Sequence, residues 1–184
     1  MRSYQVFAGL APQHAEQVLT RLAEKAPAMF VQALAAASAA LKARPVYLQR
    51  QPFAKRCEAI RRALSRVAAN TIADEVLAVY FLECRKELLV EWLDLLGVKH
   101  KDGTLEADAP PPPAEKKLRD AFDRFRAAGE DPDRDLLLRA FAAQDAVEWP
   151  ILDALLMGSA PAAEQPTPAP PKPKPAPRRA RKPR

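Results

Sequence analysis

Nineteen prolines punctuate this chain, and where they fall decides what the residues between them can become. A proline has no amide donor and clashes with the turn before it, so it is tolerated in a first helical turn and excluded from a helix interior. Pro12, Pro27 and Pro132 stand at or near the start of runs with apolar residues at helical spacing. Pro45 and Pro52 bracket a short connector, and the unbroken run Pro110–Pro113 excludes helix altogether. Between these points glycine is rare, with five in all, and Ala, Leu, Arg and Glu dominate. Those side chains lose little rotamer freedom in a helix. The chain is therefore expected to be all-α: a single helical domain of about six to eight helices over residues 1–158, with a long Pro-rich connector at 97–113. Residues 159–184 are expected to form a disordered, basic, proline-rich tail, because nine prolines and few large apolar groups leave little to offset the entropy of ordering.

The periodicity predicts helices over 13–26, with Val18, Leu19, Leu22 and Ala26 on one face, and over 27–42, which is Ala-rich and suited to close packing. From Phe53 the apolar residues Phe53, Cys57, Ile60, Leu64 and Val67 step by four, three, four and three, a narrow stripe on one helix. Thr71 with Asp74 fits a capping pair that would start a new helix, although one helix or two over 53–96 both fit the pattern. The segment 75–97 is the most apolar, with Leu77, Phe81, Cys84, Leu88, Trp92 and Leu95 on one seam and Gly97 as its stop. An Asp-Gly pair at 102–103 signals a hairpin turn. Helix resumes at 114–128 with Leu118, Ala121, Phe122 and Phe125 inward, again after Asp131 as N-cap with Asp133 and Asp135 in the first turn, and last around 150–157. The stretch 114–157 is too short for a core of its own and should pack on the earlier helices.

Charge is segregated. The formal net charge is +6, and residues 161–184 account for all of it, with seven cations against Glu164. Within the body, residues 42–69 carry eight cations against Glu58, while residues 70–97 carry two against six acids. Adjacent antiparallel helices would partly neutralise each other. Lys55, Arg62 and Arg66 lie away from the Phe53–Val67 stripe, with Arg56 and Arg61 flanking it, so this helix should expose a basic outer face. Glu83, Glu87, Glu91 and Asp94 step by four, four and three and should line one face of the next helix, as a solvated or ion-paired surface.

Catalytic signatures are sparse. His14 and His100 are the two histidines, and no HExxH, GxGxxG or GxxxxGK[ST] occurs. A Cys84–His100 pair is the one nucleophilic arrangement to check against a structure. Cys57 and Cys84 fall among apolar residues and are expected to be reduced core residues of a cytosolic protein. Neither a signal peptide nor a membrane span is expected, nor is any metal or cofactor.

The chain ends "PKPKPAPRRARKPR". Lys172, Lys174, Arg178, Arg179, Arg181, Lys182 and Arg184 are held extended by their prolines and can bind polyanions by counterion release, which needs charge but no fold. In composition the tail resembles the Lys/Pro/Ala-rich arms of linker-histone-like and other nucleic-acid-associated proteins. The same string suits a solubilising extension with no partner, a docking arm for an acidic protein, an anionic membrane surface, or a ligand for a groove that takes PxxP spacing. The expected function is that of a non-enzymatic helical interaction or adaptor protein, whose neutral body binds another protein while the tail adds polyanion or acidic-partner attachment. The alternative is a nucleic-acid-binding protein in which residues 42–69, with Lys55, Arg62 and Arg66, act together with the tail.

Overall fold

The computed structural model describes residues 1–158 other than 108, 146 and 148. Its architecture is all-α. The helices α1 Ser3–Ala8, α2 Pro12–Lys25, α3 Pro27–Ala40, α4 Pro45–Gln49 and α5 Phe53–Leu64 come first. A 3₁₀ turn Val67–Ala69 leads into α6 Asn70–Val79, and a π-helical turn Tyr80–Cys84 leads toward α7 Lys86–Leu96. A small hairpin, β1 His100–Lys101 and β2 Thr104–Leu105, precedes α8 Glu115–Ala127, α9 Pro132–Ala143 and α10 Pro150–Gly158. The expected tail disorder lies outside the described residues.

Proline does what its chemistry dictates. Pro12, Pro27, Pro45 and Pro132 open α2, α3, α4 and α9, and Pro52 is the N-cap of α5. Ten α-helices among the described residues exceed the expected six to eight because two short ones form and a long one breaks. The connector at 44–52 holds the five-residue α4, anchored by buried Leu48. The other addition, α1, is held from outside its own sequence: the Tyr4 amide donates to Asn70 Oδ1 (3.3 Å) and Ser3 Oγ donates to Asp74 Oδ1 (2.8 Å). This overturns the capping expectation for Thr71 and Asp74. Helix α6 begins after Ala69 with no side-chain cap, because the Asp74 carboxylate is engaged by Ser3 and by Gln144 Nε2 (2.9 Å).

The segment 75–97 is not one helix. Arg85 leaves the helical region (φ −136°, ψ 41°) after the π-helical turn, and its side chain turns inward to carboxylates of α9. Leu77, Phe81, Leu88 and Trp92 stay buried on either side of the break, while Cys84 and Leu95 are half-buried. The break also divides the acidic stripe. Val67, read from its spacing as part of the buried stripe, is exposed because α5 ends at Leu64 and the chain turns at Ser65.

Helices α2, α3 and α5 pack together, and α8–α10 lie on α1, α6 and α7 rather than apart from them. Phe30 near the start of α3 stacks on Phe53 at the start of α5 (centroids 5.6 Å apart), and Arg66 just past α5 donates to the Ala40 carbonyl at the end of α3 (2.8 Å). Starts meet starts and ends meet ends, so α3 and α5 run parallel, with α4 carrying the chain back between them. At the other side of the core, fully buried Trp92 contacts Phe125 and Phe141, and Phe141 contacts Trp149. The Trp149 indole N–H donates to the Pro110 carbonyl (3.2 Å), which ties the proline connector to the helices. Asp102 (φ 56°) and Gly103 (φ 90°) make the hairpin turn that the Asp-Gly pair signals. Gly97 (φ 64°) ends α7 in the left-handed conformation expected of it.

Candidate functional site

The basic segment 42–69 occupies α4, α5 and the turns that flank them. Its three cations singled out by periodicity are committed within the protein. Lys55 Nζ (3.3 Å) and Arg62 Nη2 (2.5 Å) share the one acid of the segment, Glu58, whose carboxyl is held below its usual range by the Lys55 hydrogen bond and the Arg62 charge. Arg66 caps the last turn of α3 through the Ala40 carbonyl. Arg56 lies over the Phe53 ring (5.1 Å) and the Phe30 ring (5.9 Å), a cation–π arrangement.

The expected neutralisation by residues 70–97 does not occur: among the described residues no ion pair joins the two segments. Helix α5 is flanked mainly by α2 and α3, and the acids of the second segment are engaged elsewhere. Glu91 forms a two-pronged pair with Arg134 (2.8 and 2.9 Å), Glu87 pairs with Arg85 (2.7 Å), Asp94 with His100 (3.2 Å), and Glu75 accepts from Gln32 (3.0 Å). The side chains of Lys42, Arg44 and Arg50 consequently have no hydrogen-bonding or ion-pair partner among the described residues, while Arg61 lies with Glu58 and Glu16 in a cleft between α2 and α5 and helps to lower the Glu58 carboxyl.

Around Lys42, Arg44 and Arg50 the surface is unusual. Lys42 has φ 52°, in the left-handed region where a side chain adds strain and glycine does not. Helix α4 turns Leu48 inward and leaves Val46 and Tyr47 exposed, the tyrosine at 61%. Arg44 and Arg50 flank Tyr47 three residues before and three after, the spacing that brings side chains to one side of a helical turn, and both are exposed. The periodicity of α5 points to Lys55, Arg62 and Arg66, which have partners within the protein, and not to these residues. Arg-x-x-Tyr-x-x-Arg was present in the sequence but sits in a proline-bracketed stretch with no long pattern to orient it.

A second polar cluster was not anticipated. Asp133, assigned from sequence only to a first helical turn, is 2% exposed and accepts four side-chain hydrogen bonds. His14 Nε2 (2.8 Å) and Arg21 Nη1 (2.6 Å) come from α2, the Tyr80 hydroxyl (2.7 Å) from the π-helical turn, and Arg85 Nη1 from the break after it. Arg85 also donates to Asp131 Oδ2 (2.5 Å), and Asp131 Oδ1 accepts from the Asp133 amide (3.0 Å) as the expected N-cap of α9. Burial opposes ionisation of Asp133, but His14, Tyr80 and the two guanidiniums outweigh it and bring the carboxyl down to about 2. The Arg85 guanidinium is likewise desolvated, yet its acids raise its pKa. Burial raises the Tyr80 phenol, and the hydrogen bond to Asp133 adds to this. Predicting the cluster needed tertiary contacts, since its members are spread from residue 14 to residue 133.

Outside this cluster opens a cleft of about 380 Å³, whose walls include Gly9, His14, Arg126, Asp135 and Arg139. No Ser, Thr, Cys or Lys is among the described residues that line it beside the His14–Asp133 pair. Its geometry is that of a clasp holding α2, α9 and the broken helix together. Cys84 and His100 are not brought together: the thiol donates to the Arg21 carbonyl (3.6 Å), and His100 contacts Asp94 and accepts from the Gly103 amide (3.3 Å). Burial raises both thiols, Cys57 to about 11. Both are free; Cys57 is in the core and Cys84 is half-buried. Among the described residues no group of His, Cys, Asp and Glu has metal-binding geometry, and no helix is long and apolar enough to cross a membrane. Lys172, Lys174, Arg178, Arg179, Arg181, Lys182 and Arg184 lie outside the described residues. Comparisons with protein-family models, curated proteins and solved structures found no match to this chain.

Proposed function

We propose that this chain is a non-enzymatic, cytosolic binding protein that holds nucleic acid through the unpaired cations of its α3–α5 face, with the tail as a second, structure-independent attachment. The observation that carries this reading is that Lys42, Arg44 and Arg50, around α4, have no acidic partner among the described residues, although the neighbouring sequence holds acids enough to supply them. Unpaired cations on one stretch of a neutral body are the electrostatic footprint of a phosphate-binding surface. The competing reading, in which the body docks a protein, is supported by an apolar groove of about 290 Å³ whose walls include Phe81, Leu89, Leu105 and Phe141. We prefer nucleic acid because the charges specify the chemistry of what they attract, and the groove does not.

The test is duplex binding across a salt series by the full chain and by a chain ending at residue 158. The buried core of the described residues runs from Val6 to Leu156. Three body cations on phosphates give a log–log salt slope of about −3, and the seven tail cations add about −6. The account expects the truncated chain to retain binding with the shallower slope. Loss of all binding on truncation overturns the role of the body.

A further inference from the structure

We infer that Tyr47 is a base-stacking platform set between two phosphate contacts, Arg44 and Arg50, and that the protein therefore takes single-stranded nucleic acid in preference to duplex. The inference rests on the nucleic-acid reading above and names the form of the ligand.

The fold makes little use of the Tyr47 ring. Helix α4 is seated by Leu48, while Tyr47 is 61% exposed and its hydroxyl has no hydrogen-bond partner among the described residues. On either side of it, at helical-neighbour spacing, stand guanidiniums that are exposed and unpartnered. Lys42 adds a third unpaired cation just before α4, in a backbone conformation that a glycine would adopt without strain. An exposed aromatic ring bordered by backbone-tracking cations is the arrangement that binds single strands, because every base has a π-face and stacking requires no reading of base edges.

Duplex recognition asks for something else. A major groove admits a helix or a two-stranded ribbon that carries several side chains to base edges. The five residues of α4 make little more than one turn, and on the longer α5 the outward cations Lys55 and Arg62 are tied to Glu58. In a duplex the bases are already stacked on one another, and Tyr47 has no free face to meet. An unpaired strand offers free faces, with its phosphates in reach of Arg44 and Arg50.

The experiment uses the full chain and three probes of equal length: a labelled oligothymidylate, a labelled oligouridylate and a mixed-sequence duplex. Replacing Tyr47 with alanine should weaken single-strand binding about 5- to 150-fold, the range for loss of one stacked base, and leave duplex binding unchanged. Tyr47→Phe should keep the single-strand affinity, since it retains the ring. Arg44→Gln with Arg50→Gln should make the single-strand salt slope shallower by about 1.4. The relative affinity of the two oligonucleotides distinguishes DNA from RNA as the ligand. If Tyr47→Ala alters neither probe class, or weakens duplex and single strand alike, the stacking role is overturned while the nucleic-acid reading stands. If the unaltered chain binds none of the three, both fall. If anionic phospholipid vesicles bind it more tightly than the oligonucleotides and Tyr47→Ala abolishes that binding, the platform is a membrane contact and the inference is overturned.

Discussion

Replacing Asp133 with asparagine should cost the fold about 2–3 kcal/mol at neutral pH, and the loss should vanish in acid. The magnitude follows from two independent routes. Surrounding donors bring the carboxyl down to about 2 in the folded protein against an ordinary 3.8, and each unit of such a shift is 1.36 kcal/mol, so ionisation of this one group favours the fold by about 2 kcal/mol. From the contacts, removing one partner of a buried ion pair typically costs about 3–5 kcal/mol, because the other is left charged and desolvated. Arg85 is 12% exposed but keeps Asp131 and Glu87, and Arg21 is 46% exposed and can turn to water, which brings the expected loss toward the lower value. Because the folded pKa lies below the unfolded one, the stabilisation is complete above about pH 4 and is lost as pH falls through about 2. Urea denaturation followed by fluorescence of buried Trp92 measures both features. The Asp133→Asn midpoint should fall at pH 7 with an unchanged slope, and the gap to the unaltered chain should close between pH 4 and pH 2. Equal midpoints at pH 7, or a gap that persists at pH 2, would refute the assignment of Asp133 as an ionised clasp.

Other consequences are more local. Lys42→Gly should raise stability by about 1 kcal/mol in thermal melts, since it relieves a left-handed side chain, and should weaken oligonucleotide binding in the same protein. In the native state at pH 8, Cys84 should be alkylated well before Cys57, which is 2% exposed and has its thiol pushed up to about 11; mass spectrometry of partly labelled protein reads the order.

What was legible in the sequence divides along physical lines. Proline chemistry and apolar period are local, and they located α2, α3, α5, α8 and α9 together with the faces that Val18, Ile60 and Phe122 bury. The break at Arg85 was hidden because the apolar seam continues across it. The reason for the break is a carboxylate pair on α9 more than forty residues away, which no local pattern reports. Helix α1 was missed for a similar reason, since besides the local bond from the Arg2 amide to Gln5 Oε1 it is held by Asn70 and Asp74, distant in sequence. On the basic face the total charge of residues 42–69 was legible and its pairing was not. Glu58 neutralises the cations one turn either side of it, as helical spacing implies, whereas the fate of the acids in residues 70–97 depended on which helices α5 packs against.

The most direct test of the central claim is single-strand binding at moderate salt by residues 1–158 carrying glutamine at Lys42, Arg44 and Arg50 together, compared with the same chain unaltered. All three are exposed side chains without partners among the described residues, so the fold should persist. The account predicts that the unaltered body binds with a salt-dependent affinity and that the triple variant loses both the binding and its salt slope. Undiminished binding by the variant would contradict it, and would move the search for this protein's ligand away from the α3–α5 face.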